Sequence, residues 1–328
     1  MNPPNNLSKP RTPRQYLRLF FTGIAMGASD IVPGVSGGTM AFILGVYEDL
    51  IDGIRSFDIT AIRLALRLKV KDFLEHVPLQ FLMALGLGIL TAIVVLSGFL
   101  SRTLEDETGR IYLFAFFFGL VLASIVTVGF KVKWSVVPAL ALLAGIAAAL
   151  VIVNAVPADA PHEPLNLFLS GMVAICAMIL PGISGAFILL ILGQYDYVLT
   201  AVSERNLLPV IMVALGSAVG LMAFSRVLSY LLKHYYQTTV AALVGFMVGS
   251  LWRIWPWKTC LLDDIDRHGE LRCLQESNQL PEFASPEFVT AFVLMAFGFL
   301  LVNFIDHLQH GQNPVFRLVR RPQGSAAA

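Results

Sequence analysis

Apolar stretches of roughly 20 residues, the length at which an α-helix crosses about 30 Å of hydrocarbon, recur along this 328-residue chain at 79–100, 111–129, 135–154, 207–232, 238–255 and 287–305. A soluble fold would have to bury them all in one core. The chain instead spends 56% of its residues on hydrophobic side chains and only 14% on charged ones, whereas soluble domains run at about a quarter charged. The reading that follows is an all-α polytopic membrane protein. No cleavable signal peptide is apparent, because residues 1–15 are Pro-rich, polar and basic and read as a disordered tail. Residues 308–328 read as a second tail.

The chain also repeats itself. Pro33 to Tyr47 reads PGVSGGTMAFILGVY, and Pro181 to Tyr195 reads PGISGAFILLILGQY, with Pro, Gly, Ser, Gly, Ile, Leu, Gly and Tyr in register. Weaker likeness pairs Gly23 with Gly171, Glu48 with Asp196, Ala84-Leu85-Gly86 with Ala214-Leu215-Gly216, and Gly119 with Gly245. Duplication of this kind builds many transporters. The first repeat is read over 16–154, as a helix hairpin at 16–50, an amphipathic segment at 58–74 and three transmembrane helices. The second is read over 166–307, as a hairpin at 166–199, three transmembrane helices and an external loop at 256–286. A hairpin that dips in and returns crosses no times, and one whose arms both span crosses twice. Either way each unit crosses an odd number of times, which makes the repeats inverted. The arm from Thr39 to Leu50 would reach only about 18 Å at 1.5 Å per residue, so re-entrant hairpins are expected.

Lys and Arg set the orientation. The 1–15 tail, 48–78, 130–134, Lys233 and the C-terminal tail together hold about 15 of the 23 basic residues, which places both termini in the cytoplasm. Arg226 and Arg253 are left over, within or at the edge of apolar segments. In 58–74, Ile59, Ile62, Leu66, Val70 and Phe73 form one stripe and Arg63, Arg67 and Lys71 another, as in a helix lying on headgroups. Trp252, Trp255 and Trp257 read as anchors at the outer boundary and Trp134 at the inner one. Cys260 and Cys273 share the loop assigned outside, where a disulfide is expected. Cys176 reads as inert packing, and no metal-ligand spacing is present.

Non-helical backbone at membrane depth persists only where protein buries it or where it lines a cavity. In each Pro-Gly-x-Ser-Gly break, Pro33 or Pro181 ends one arm and Gly34, Gly37, Gly38, Gly182 and Gly185 free the backbone. Ser36, Thr39 and Ser184 can cap the next arm, whose positive end suits an anion. Two such ends, related by a pseudo-two-fold, would meet near the midplane, with Ser36 and Ser184 beside them. The bland alternative is a pair of tight turns whose serines satisfy their own backbone. Asp30 lies one turn before Pro33 where the second unit has Met178, and it reads either as a coupling carboxylate or as a partner for exposed backbone. Arg226 reads either as a phosphate-binding cation or as a partner for carbonyls. Glu48 and Asp196 are gate candidates at equivalent arm ends. Gly-x-Ser-Gly also resembles intramembrane serine proteases, but His76, His162, His234, His268, His307 and His310 all fall in loops, segment ends or tails, so no base is placed and no enzyme is expected.

The run Gly27-Ala28-Ser29-Asp30-Ile31-Val32-Pro33-Gly34-Val35-Ser36-Gly37-Gly38-Thr39, with Leu44-Gly45-Val46-Tyr47-Glu48, resembles the signature of the bacterial polyprenyl-phosphate transporter family, long catalogued as a domain of unknown function. The likeness covers roughly 16–307. It implies a flippase of the bacterial cytoplasmic membrane that returns undecaprenyl phosphate from the outer to the inner leaflet for cell-wall synthesis. Coupling to H+ or Na+ is expected and no cofactor is. Membrane lipids are the expected partners, nucleic acid is not, and a homodimer is possible. The alternative is an ion-coupled transporter or exporter of a small soluble anion on the same scaffold.

Overall fold

A computed structural model describes residues 12–32, 34–155, 160–265, 271–283, 285–310 and 315. Helix α1 (Pro13–Ile31) begins at a capping box in which Thr12 N donates to Gln15 Oε1 at 2.9 Å, with Pro13 preset for the first helical position. Residues 13–15 are therefore a capped first turn, not part of a disordered tail; residues 1–11 lie outside the described residues. After a break come α2 (Gly37–Ile43), α3 (Tyr47–Arg55), α4 (Ile59–Leu66) and α5 (Val70–His76), then the long α6 (Leu79–Glu105), α7 (Glu107–Gly129) and α8 (Val136–Val153). The second half repeats the order without counterparts of α4 and α5, as α9 (Pro164–Ile179), α10 (Gly185–Ile191), α11 (Tyr195–Ser203), α12 (Leu207–His234), α13 (Tyr236–Ser250) and α14 (Pro286–His310).

Helices α6, α7, α8, α12 and residues 286–308 of α14 are each long and apolar enough to cross a membrane. The pair α10 and α11, bent by 107°, adds a broken span or a re-entrant loop. This is a multi-pass membrane protein, and its burial pattern matches: Val94 is 79% and Val136 75% exposed, while Ser36, Thr39, Ser225 and Asn303 are fully buried. Three details depart from the sequence reading. The amphipathic segment is two helices, because Leu68 takes a left-handed φ of 53° between α4 and α5. The apolar run 238–255 is not one long helix: α13 stops at Ser250 after 15 residues, about 22 Å. The loop 256–286 holds an antiparallel hairpin, β1 (Lys258–Ile265) and β2 (Leu271–Asn278), in which Cys260 and Cys273 form the expected disulfide with Cα atoms 5.7 Å apart. Trp252 is exposed, but Trp257 is buried among Ile111, Ala115 and Ala291 and donates to Glu287 Oε1, so it is a core residue rather than an interfacial anchor.

The halves interleave. Helix α1 packs on α6 and α9 on α12, while the last helix of each half packs on the middle helix of the other, α14 on α7 and α8 on α13. Glycines set these approaches. A Cβ on Gly119 would strike Met295 O and one on Gly298 would strike Phe116 O; at the equivalent crossing Gly245 meets Leu142 O and Gly145 meets Ala242 O. Gly88 meets Phe20 O in the first half as Gly216 meets Phe168 O in the second. Gly88 is thus the counterpart of Gly216 by contact, not Gly86, whose missing Cβ faces open space. Matching the Ala-Leu-Gly triplets had shifted the register by two residues. Where α1 offers Gly27 to Ala92, α9 offers Ile175 to Gly220, so the glycine sits on the opposite member of the helix pair.

Gly88→Ala and Gly216→Ala should each lower the thermal unfolding midpoint in detergent, by overpacking worth about 1–3 kcal/mol, and Gly86→Ala should leave it unchanged. Equal midpoints for all three would contradict the assigned crossing.

Candidate functional site

Both breaks turn on left-handed glycines, Gly34 (φ 85°) and Gly182 (φ 94°), and both following arms kink again at Gly45 (φ 70°) and Gly193 (φ 67°). The arm read as one helix from Thr39 is therefore two, α2 and α3. Pro33 lies outside the described residues. The breaks are bonded to each other. Ser36 Oγ accepts from Gly38 N at 3.1 Å and donates to Met178 O at 3.1 Å, and Tyr47 Oη donates to Ile179 O at 3.1 Å. In return Gly182 N donates to Thr39 Oγ1 at 2.8 Å. The last carbonyls of α9, which have no helical partner, are thus satisfied by side chains of the first hairpin. Gly38 permits the approach, since a Cβ there would lie 2.8 Å from Ile179 O.

Three of the N–H groups expected to cradle an anion are already engaged in this arrangement. Gly37 N donates to Asp30 Oδ1 at 2.7 Å, Gly38 N to Ser36, and Gly182 N to Thr39. Asp30 sits against Gly37 as Met178 sits against Gly185, where a Cβ would meet Met178 Cβ at 3.1 Å. Ser184, 9% exposed, makes no cap bond to α10. The first break is therefore closed by its own carboxylate and the second is not.

Arg226 is not at the breaks. Its guanidinium donates to Met222 O at 2.6 Å and Phe57 O at 3.3 Å, the role of a partner for carbonyls. The cation that reaches both breaks is Arg253, in the turn after α13. Its Cγ lies 3.0 Å from where a Gly34 Cβ would stand, its guanidinium lies 4.7 Å from the centre of the Phe187 ring just after the second break, and Nη1 is 3.1 Å from Glu276 Oε2. Lys258 Nζ meets the same carboxylate oxygen at 2.8 Å. A leftover arginine at the end of an apolar run was the only sequence signal for this. Burial, with Arg253 and Arg110 nearby, draws the Lys258 ammonium down to about 8 against the pull of Glu276. Burial alone would raise the Glu276 carboxyl, but Lys258, Arg253 and Arg110 overcome it and hold it below its ordinary range.

Glu48 and Asp196 stand apart from the breaks. Glu48 and Tyr236 line a cavity of about 360 Å³ in which Asp49, Thr127, Lys131 and Asp306 stand among apolar side chains. Lys131 Nζ pairs with the buried Asp306 at 2.8 Å there, and Thr127 Oγ1 donates to Asn303 Oδ1 at 3.3 Å. Asp196 is exposed in the first turn of α11. A separate chain joins α3 to α12: Arg55 donates to Ser229 Oγ at 3.0 Å, Ser229 to Asp52 at 2.7 Å, and Lys233 pairs with Asp52 at 2.9 Å.

Residues 26–272 match a family described as undecaprenyl phosphate translocase-like. Among curated proteins, the chain is 38% identical over 294 residues to a polyprenyl-phosphate transporter of Vibrio cholerae, covering 88% of this chain and 95% of that protein. It is 34% identical over 256 residues to a polyprenyl-phosphate transporter of Staphylococcus aureus, covering 71% of this chain and 84% of that protein. No solved structure matches it.

Thr39→Val should strand the Gly182 N–H in a buried site and destabilise the protein by about 1–3 kcal/mol, while Thr39→Ser should stay near wild type; thermal midpoints in detergent decide this. Lys258 carries a pH signature of opposite sense to a favourable ion pair. With its folded value near 8 and the free value 10.5, the unfolded chain holds more protons between those limits, so this group's contribution to stability rises with pH across that window and is lost as pH falls through about 8. The pH dependence of the midpoint should lose that component in Lys258→Met.

Proposed function

Because the chain belongs to the undecaprenyl phosphate translocase-like family, we propose that it is a flippase for a polyprenyl phosphate, returning undecaprenyl phosphate from the outer to the inner leaflet of the bacterial cytoplasmic membrane. A phosphate monoester carries about −1.5 to −2 charges at neutral pH, and taking it unaided through hydrocarbon is prohibitive. The observation that carries the reading is the contact between the two breaks, which brings backbone donors, hydroxyls and Arg253 to one place inside a multi-pass membrane protein. In the proposal the two halves are inverted repeats, both termini are cytoplasmic, and the disulfide hairpin faces outward. The polyprenyl tail stays in lipid while Ser36, Ser184 and the N–H groups of the breaks replace water around the phosphate.

Coupling follows from Asp30. Its carboxylate holds the Gly37 N–H, which is what a phosphate oxygen would otherwise do at the start of α2. A proton or Na+ taken up at Asp30 weakens that hold, releases the N–H to the phosphate and travels inward with it. Inward passage of negative charge against an inside-negative potential costs about 2.3 kcal/mol per charge per 100 mV, and the co-transported cation offsets this. Met178 at the matching place allows one coupling site per molecule, not two.

The test is flipping of a labelled polyprenyl phosphate by the purified protein in liposomes. Wild type should move the lipid faster under an inward proton or sodium gradient. Asp30→Asn should retain lipid binding and lose the gradient response; a normal response in this variant would leave Asp30 with only its helix-capping role.

A further inference from the structure

At the base of the disulfide hairpin two cations share one carboxylate. Lys258, 7% exposed and 5.3 Å from the centre of the Phe114 ring, feels two other cations, Arg253 and Arg110, and one carboxylate, Glu276. Glu276 Oε2 alone pairs with both Arg253, at 3.1 Å, and Lys258, at 2.8 Å. Among the described side chains, Arg253 and Lys258 thus share a single carboxylate oxygen with Lys258 nearly buried, and buried charge that is only partly matched is costly. A phosphomonoester dianion offers two charges to these two cations where Glu276 offers one, and an arginine fork beside an ammonium is the donor set that binds such a group well. The cluster is also connected to the breaks, because Arg253 packs on Gly34 and over Phe187.

We propose that Arg253 and Lys258 form the docking site for a phosphomonoester headgroup on the hairpin side of the protein, and that Glu276 is a built-in carboxylate which the phosphate displaces. The β-hairpin is then a latch. Its other ties, Asn278 Nδ2 to Trp252 O at 2.8 Å and Trp255 Nε1 to Gln279 O at 2.9 Å, hold its base while the Glu276 contact is exchanged. Freed from Glu276, Arg253 presents the phosphate to the two breaks it already touches. The identity of the headgroup as that of a transported lipid rests on the function proposed above; the site itself requires only a phosphomonoester.

The experiment measures binding of geranylgeranyl phosphate, with geranylgeraniol as the uncharged control, to the full-length disulfide-bonded protein in detergent, read by fluorescence of the neighbouring tryptophans. Wild type should bind the phosphate and not the alcohol. Arg253→Ala and Lys258→Ala should each weaken binding about tenfold or more, as expected for loss of a charge-assisted contact. Glu276→Gln should tighten it several-fold, and the ligand should raise the thermal midpoint of that variant more than that of wild type. Arg226→Ala should bind as wild type does. Should Arg253→Ala fail to fold, Arg253→Lys keeps the charge without the fork and should show an intermediate loss. Wild-type affinity in both the Arg253 and Lys258 variants overturns the site. Weaker binding in Glu276→Gln, with no extra rescue by ligand, overturns the latch and leaves Glu276 a support. A protein that binds the probe through Arg253 and Lys258 yet flips no lipid in liposomes upholds the site and removes the transport reading, so the two failures are distinct.

Discussion

A backbone N–H or C=O without a partner costs several kcal/mol in hydrocarbon, and this chain interrupts its helices at two matching places. Each interruption strands carbonyls at the end of one helix and N–H groups at the start of the next. The solution joins the two: Ser36 and Tyr47 of the first hairpin supply donors to Met178 and Ile179 of the second, and Thr39 accepts from Gly182. The first break closes on itself through Asp30 and Ser36, whereas these groups of the second are met by the first. The hairpins are consequently one unit, and a movement that separates them must offer the freed groups new partners. A phosphate with its acceptor oxygens can do that for the N–H groups, which links any opening of the breaks to the presence of an anion.

The rest of the architecture holds this unit in place. Each half lends its last helix to the middle helix of the other, through glycines so close to the facing carbonyls that no side chain fits. Such contacts gain from dispersion and tight packing rather than from the hydrophobic effect, which vanishes between apolar surfaces in lipid. They also make the halves inseparable as domains, although the element order is duplicated.

Against this near-symmetric frame the functional groups are asymmetric. Asp30 faces Gly37 where Met178 faces Gly185, and Ser36 caps its helix where Ser184 makes no cap. Arg253 has no match in the first half's cavity, where Thr127 bonds to Asn303 instead. Two carboxylates, Asp30 on backbone N–H and Glu276 on Arg253 and Lys258, occupy donor sets that would equally accept phosphate oxygens. Internal anions of this kind keep buried donors satisfied while no ligand is bound, at the cost of competing with it.

Much of this was legible in the linear chain. Apolar runs of bilayer length dictated a helical membrane protein because hydrocarbon leaves the backbone no other partner, and the recurrence of Pro-Gly-x-Ser-Gly marked the two breaks because few other residues permit that turn. The disulfide followed from two cysteines in one loop, and the resemblance named the family. What failed were readings that depend on who meets whom. The Ala-Leu-Gly triplets pair Gly86 with Gly216, but only the facing helix distinguishes a glycine at a crossing from one facing open space. Arg226 and Arg253 both lie within or at the edge of apolar runs, and a long side chain reaches whichever carbonyl or carboxylate the fold presents: Arg226 meets the Phe57 carbonyl, while the early end of α13 carries Arg253 to Gly34, Phe187 and Glu276. Local sequence determined which backbone could break and which residues could carry charge. Tertiary structure alone decided which broken ends satisfy each other and which cation stands beside them, because those pairings join residues from tens to hundreds of positions apart, separations over which no local propensity acts.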